Sequence, residues 1–188
     1  DMARIIFAPL GMTRTSMIWN EAFVPNYDMG YSVKGENLGH DMQDNARAAG
    51  SMDTTIQDYA QFVAAYMRGE LISPTSRDEM LRAQIAITSA HQFPPLDPAT
   101  DPRNREVNLA AGLGVVTWQS PYGLGFMKGG HNDSTDNMMF CLETAKRCVV
   151  LLTNTAKGDL LFPQIIRFIL GGSNFPWYWE YSSLTDAG

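Results

Sequence analysis

The spacing of apolar residues changes character near residue 110. Before that point Tyr59, Phe62, Val63, Tyr66 and Met67 recur at helical intervals up to Gly69, which predicts an amphipathic helix. Thr55-Ile56-Gln57-Asp58 precedes it with the spacing of a capping box, although Asp replaces the usual Glu or Gln. A second box, Ser76-Arg77-Asp78-Glu79, predicts a shorter helix with Met80, Leu81 and Ile85 on one face. Beyond residue 110 the period becomes two. Segments 113–118, 123–127, 138–143 and 148–153 read as strands, the last two joined around Thr144-Ala145-Lys146. A closing helix is expected from about Asp159 to Leu170, turning Leu161, Ile165, Phe168 and Ile169 toward the sheet until Gly171-Gly172 stops it. The pattern predicts an α+β fold, an antiparallel sheet with packed helices.

The remaining segments lack a period. Residues 5–12 read as the end of a helix running into a turn, since Pro9 cannot continue the backbone ladder and Gly11 tolerates positive φ. A helix already under way at residue 1 points to further chain upstream. Between Trp19 and Ala49, aromatic residues alternate with Pro, Gly and Asn, as in a loop or short edge strands. Residues 88–107 hold four prolines and are expected to form a long surface loop. No repeat or composition break divides the chain, so residues 1–188 are expected to form a single domain.

Composition narrows the function classes. With 45% apolar residues in 188, one sizeable core can form, and a net charge of −6 without a basic cluster argues against nucleic acid as a partner. No apolar run approaches the roughly 20 residues of a membrane span. Cys141 and Cys148 are too few for a disulfide scaffold and too far apart for C-x-x-C. If Thr144 and Ala145 form a turn, the two cysteines face one another across it. A cross-strand disulfide then fits, as does the simpler reading of two buried thiols.

Candidate chemistry is sparse. The chain has no G-x-S-x-G, H-E-x-x-H, Walker-type phosphate loop or EF-hand loop. Its most concentrated polar stretch is Lys128-Gly129-Gly130-His131-Asn132-Asp133-Ser134-Thr135-Asp136-Asn137, between two apolar strands. Imidazole, amide and hydroxyl groups there could converge on a bound anion or carbonyl, although a solvated β-turn has the same composition. His40 and His91 have no spaced partners. His131, Asp133 and Asp136 would have to chelate from one turn, so neither a metal nor any other cofactor is expected. The cluster Trp177-Tyr178-Trp179 has no role assigned by the sequence.

Several motifs nevertheless follow one another in a familiar order. Pro9-Leu10-Gly11-Met12-Thr13-Arg14-Thr15, Ala48-Ala49-Gly50-Ser51 through Asp58-Tyr59-Ala60-Gln61-Phe62, Tyr122-Gly123-Leu124-Gly125-Phe126, Gly130-His131 and Val149 through Asn154 resemble the serine β-lactamase-like family. That family includes class C β-lactamases, D-alanyl-D-alanine peptidases and related esterases. The resemblance spans residues 5–170 and implies the C-terminal part of that fold. It also implies hydrolysis of ester or amide carbonyls through an acyl-enzyme, with a small-molecule or peptidoglycan-like substrate and a periplasmic or secreted location.

The family's nucleophile comes from S-x-x-K and its proton relay from Tyr-x-Asn, because a serine hydroxyl near its ordinary pKa needs a neighbouring base. Neither motif occurs here, so no catalytic residue is assigned in this chain and the 188 residues alone are expected to be inactive. The family's third motif, Lys-Thr-Gly or His-x-Gly, falls on His131, Asn132 and Asp133. The resemblance therefore implies that His131, with Asn132 and Ser134, binds substrate at the active-site edge of the sheet. Asp133 departs from glycine. A side chain there crowds a passing substrate, and its charge would repel a substrate carboxylate by about 1 kcal/mol in well-screened surroundings. This departure, with the aromatic tail, also admits a non-catalytic module that recognises peptidoglycan or a protein partner. A sheet edge left open by absent strands would make a homodimer possible.

Overall fold

In the computed structural model, residues 1–181 are described. A short π-helical turn, Ala3–Phe7, runs into a bend at Gly11, as the sequence predicts. The irregular segment that follows contains a two-stranded antiparallel pair, β1 (Gly30–Tyr31) and β2 (Asn37–Gly39).

Helix α1 (Ile56–Arg68) starts at Thr55, whose hydroxyl accepts the Asp58 backbone N–H at 3.2 Å, and ends where Gly69 adopts φ +73°. Asp58 does not close the box. Its buried carboxylate instead accepts the Arg14 N–H at 2.8 Å and the Thr15 hydroxyl at 2.9 Å, which clamps the turn after Gly11 onto α1. Helix α2 (Pro74–Leu81) starts earlier than its expected box. Ser73 is the cap, accepting the Ser76 N–H, because Pro74 suits the first helical position, where no donor is needed. Ile85 lies past the helix, on strand β3 (Ile85–Ala86), and is exposed.

Strand β3 is one edge of a six-stranded antiparallel sheet whose spatial order follows the sequence: β3, β4 (Ala110–Ala111), β5 (Val116–Ser120), β6 (Gly123–His131), β7 (Asp136–Leu142) and β8 (Arg147–Leu152). From β4 to β8 the order follows from short links between neighbours, whereas β3 and β4 pair across the long segment 87–109. The β7–β8 turn places Cys141 opposite Cys148, and they form a disulfide, which replaces the buried-thiol reading. Strand β8 is the other outer strand of the sheet.

Alternation sends the two sets of side chains to separate cores. Phe126, Met139 and Cys141 meet Val63 and Tyr66 of α1 and Leu81 of α2. Met127, Met138 and Phe140 meet the C-terminal segment on the opposite face. The remaining α-helices are α3 (Arg103–Glu106), α4 (Phe162–Leu170) and α5 (Trp177–Glu180). Phe140 is fully buried, with Trp118, Trp177 and Phe175 rings at 4.7, 5.4 and 5.6 Å. Burying side chains of this size contributes about 2–3 kcal/mol each.

Two expectations shift on this face. Helix α4 buries Phe162, Ile166 and Leu170, an i, i+4, i+8 row, while Phe168 is 90% exposed, so the predicted inward stripe is rotated. The cause is its late start: Gly158–Leu161 is a 3₁₀ turn, which breaks the phase of a helix counted from Asp159. The proline-rich segment is also less of a surface loop than expected. Asn104 is fully buried within it, donating to the Ser89 carbonyl at 2.8 Å and accepting the Tyr178 hydroxyl at 3.1 Å. The Trp179 indole donates to Ser89 Oγ at 3.2 Å. These bonds give the aromatic tail a structural role: it ties loop 88–107 to the sheet.

Candidate active site

The polar stretch expected as a loop is mostly sheet. Strand β6 continues through Lys128-Gly129-Gly130 to His131, and β7 begins at Asp136, directly opposite His131. Only residues 132–135 form the turn. Asn132 holds it together, its Oδ1 accepting the Ser134 and Thr135 backbone N–H groups at 2.8 Å each and both their hydroxyls at 3.0 and 3.1 Å. An Asx-type turn of this kind leaves only the amide nitrogen of Asn132 for a ligand.

The glycines of β6 matter because of what stands beside them. A Cβ on Gly129 would lie 2.3 Å from Glu180 Oε1, so only glycine lets the carboxyl of α5 rest on the strand. His131, two residues on, faces the same side. Its ring meets Phe93 at 5.9 Å and Tyr181 at 6.0 Å, and its nitrogens make no hydrogen bond among the described residues.

These groups border a cavity of about 420 Å³ that also reaches β1–β2 and the end of β7. Its walls divide by chemistry. Val33, Leu38, Phe93 and Trp179 are apolar, whereas Asp133, Asp136, Asp159 and Glu180 bring four carboxyl groups to one space with His91 and His131. Burial holds the Asp136 carboxyl above its ordinary range; the N–H of Asp159, donated at 3.1 Å, opposes this, and the Asp159 charge adds to it. Burial likewise raises Glu180, against the pull of Lys128 and His131. The Tyr181 phenol is pushed far above its usual value by burial and then by Glu180, Asp136 and Asp159. Glu180 Oε2 and the Tyr181 hydroxyl are buried and have no hydrogen-bond partner among the described residues. No three His, Cys, Asp or Glu side chains among the described residues converge as metal ligands.

Ser134 sits elsewhere. It packs on Gly30 and, with Asn132, borders a second cavity of about 340 Å³ lined by Trp19, Tyr27, His40 and Asp53. His40 looks basic in position but is committed: Nε2 pairs with Asp53 at 2.9 Å and Nδ1 with the Asp28 carbonyl at 2.9 Å. Both ring nitrogens are engaged by partners within the fold. The structure therefore brings His131 and Asn132 together at the first cavity, and places Ser134 on the other side of the turn.

Residues 2–170 match the family model of β-lactamase. The chain belongs to the β-lactamase family. Solved structures agree on the fold. A class C β-lactamase superposes with a TM-score of 0.64 at 15% identity over 92% of this chain and 52% of that one. The octameric penicillin-binding protein homologue from Pyrococcus abyssi gives 0.66 at 16% over 92% and 37%. A D-stereospecific amidohydrolase from Streptomyces sp. gives 0.63 at 17% over 91% and 48%. This β-lactamase-family chain thus spans about half, or less, of the length of these relatives. No curated protein matches it.

Sequence reasoning missed Glu180, Tyr181, Phe93 and Asp159 as neighbours of His131. They lie 28–50 residues away in the chain, and no local spacing links them. The available signal was glycine inside the strand, at Gly125, Gly129 and Gly130, since an interior strand glycine marks a close approach.

Proposed function

We propose that this chain forms the sheet and the substrate-binding wall of a serine hydrolase that opens ester or amide carbonyls through an acyl-enzyme. The nucleophilic serine and its base come from a segment outside the 188 residues, where S-x-x-K and Tyr-x-Asn have their place in the family. The observation that carries this reading is the position of His131, at the end of β6 and on the border of a cavity, with no hydrogen bond to its ring among the described residues; the sequence resemblance puts the family's third motif at this residue. In that role His131 orients the bound substrate through a ring nitrogen, and the Asn132 amide adds a donor. Ser134 contributes to the neighbouring cavity. The Cys141–Cys148 disulfide supports a periplasmic or secreted location, since such bonds persist in oxidising compartments. The outer edge of β8 is where a further strand, including one from a second copy, would pair.

The 188-residue chain should leave a chromogenic cephalosporin and a short p-nitrophenyl ester intact. Turnover of either by the chain alone would refute the placement of the nucleophile. Reading the sequence encoded upstream of Asp1 is the complementary test. S-x-x-K followed by Tyr-x-Asn supports the enzyme, and their absence turns the reading toward a non-catalytic binding module for peptidoglycan or a protein.

A further inference from the structure

We infer that the cavity beside His131 binds a cationic primary ammonium group carried on an apolar body, such as the N-terminal residue of an aminoacyl ester or amide. This deepens the hydrolase reading by naming its substrate class, and it rests on that reading only for the chemical step.

Three observations converge on a cation. The first is composition: Asp133, Asp136, Asp159 and Glu180 border one cavity, and the cations that face Glu180 are Lys128 and, when protonated, His131. Lys128 is already engaged, its ammonium donating to the Gly129 carbonyl. The second is an unmet hydrogen-bond requirement. Glu180 is 94% buried yet Oε2 has no donor among the described residues, and the adjacent Tyr181 hydroxyl, equally buried, also lacks a partner. A buried polar atom without a partner is unfavourable until something supplies one. An ammonium brings three N–H donors, enough for Oε2, the phenol oxygen and one further acceptor. The third is shape. Phe93, Val33 and Leu38 are largely exposed apolar side chains on the same cavity, and with Trp179 they form a wall for an apolar group next to the carboxyls. Aromatic rings at Phe93 and Tyr181 also favour a nearby cation.

The alternatives fit less well. A substrate carboxylate would enter a space with four carboxyl groups, and the carboxyls do not converge in the manner of metal ligands. The proton balance is simple. Burial raises the Glu180 carboxyl and an adjacent ammonium favours its charged form, so whatever fraction of Glu180 is neutral releases its proton to solvent as the ion pair forms. No covalent change is involved.

The test compares three probes that share a phenyl body: 2-phenylethylamine, its neutral N-acetyl derivative, and 3-phenylpropanoate, each titrated into the 188-residue chain by calorimetry. The amine should bind at least tenfold more tightly than the neutral analogue, and the carboxylate should not bind. Glu180→Gln should weaken the amine at least tenfold, and Asp133→Asn, an exposed site that leaves packing untouched, about threefold. Equal or tighter binding of the carboxylate, or of the neutral probe, would overturn the inference, as would amine affinity unchanged in both variants. The amine and the carboxylate have no scissile bond, and the acetamide should stay intact because the 188 residues carry no S-x-x-K nucleophile. Amine binding in a parent protein that hydrolyses nothing would sink the hydrolase reading alone, and hydrolysis without amine preference would sink this inference alone.

Discussion

The two faces of the sheet treat a buried carboxyl in opposite ways. On the face covered by α1 and α2, Glu143 at the end of β7 receives both terminal nitrogens of Arg77, one at 3.0 Å, together with the Lys146 ammonium. Arg77 is itself fixed by donating to the Tyr66 carbonyl at 2.9 Å and packs over the Tyr66 ring. Burial alone would raise Glu143, but these hydrogen bonds and charges outweigh it and hold the carboxyl below its ordinary range. On the other face Glu180 is more deeply buried, its Oε2 has no partner among the described residues, and its carboxyl is held above the ordinary range. A paired carboxyl is a structural joint; the deeper, unpaired one is, on our proposal, a binding group for a cation.

The comparison breaks most visibly at Arg77. Arg77→Ala leaves Glu143 buried with Lys146 alone and should lower unfolding stability by about 2–4 kcal/mol, measured by denaturant titration. Replacing both partners, Arg77→Met with Glu143→Leu, should recover most of that loss, because the two apolar side chains leave no unpaired charge. A double variant as unstable as the single one would mean that the pair is not what Arg77 contributes.

A smaller effect of the opposite sign is expected on the other face. Glu180→Gln removes a carboxyl whose charged form is disfavoured by burial, and should stabilise the chain by on the order of 1 kcal/mol above neutral pH. Near pH 4 the two forms should be equal, since the raised folded pKa means the contribution of Glu180 is complete below its unfolded pKa and is lost as pH rises through the folded one. Glu143 runs the other way: its lowered folded pKa gives stability that is present above the unfolded value and lost as pH falls through the folded value. A pH series of melting temperatures on the wild type and Glu180→Gln separates the two. A destabilised Glu180→Gln at pH 8 would mean that the carboxylate already has a partner. The same substitution is expected to weaken amine binding, so stability and function trade against each other at one position.

Period and turn chemistry made the sheet legible from sequence. The change to alternation after residue 110 located β5 to β8, and the turn at Thr144-Ala145 placed Cys141 against Cys148 before any coordinate. Tertiary contacts reset the rest. The inward face of α4 followed a 3₁₀ turn that no local pattern announces, and the strand β6 ran on through polar residues because Glu180 and Tyr181 cover it. His131 was identifiable through the order of motifs around it. Asp133 and Asp136 lie in the same stretch as His131, whereas Asp159 and Glu180 were not identifiable, because only the folded chain brings their segments to it.

The most direct test of the account is to locate binding on the chain itself, by following backbone amide shifts as 2-phenylethylamine is added. The cavity at the end of β6 predicts that the largest changes fall on Gly129 to Asn132 and on Trp179 to Tyr181. Changes centred instead on Trp19, Tyr27 and His40, or none at saturating amine, would contradict it.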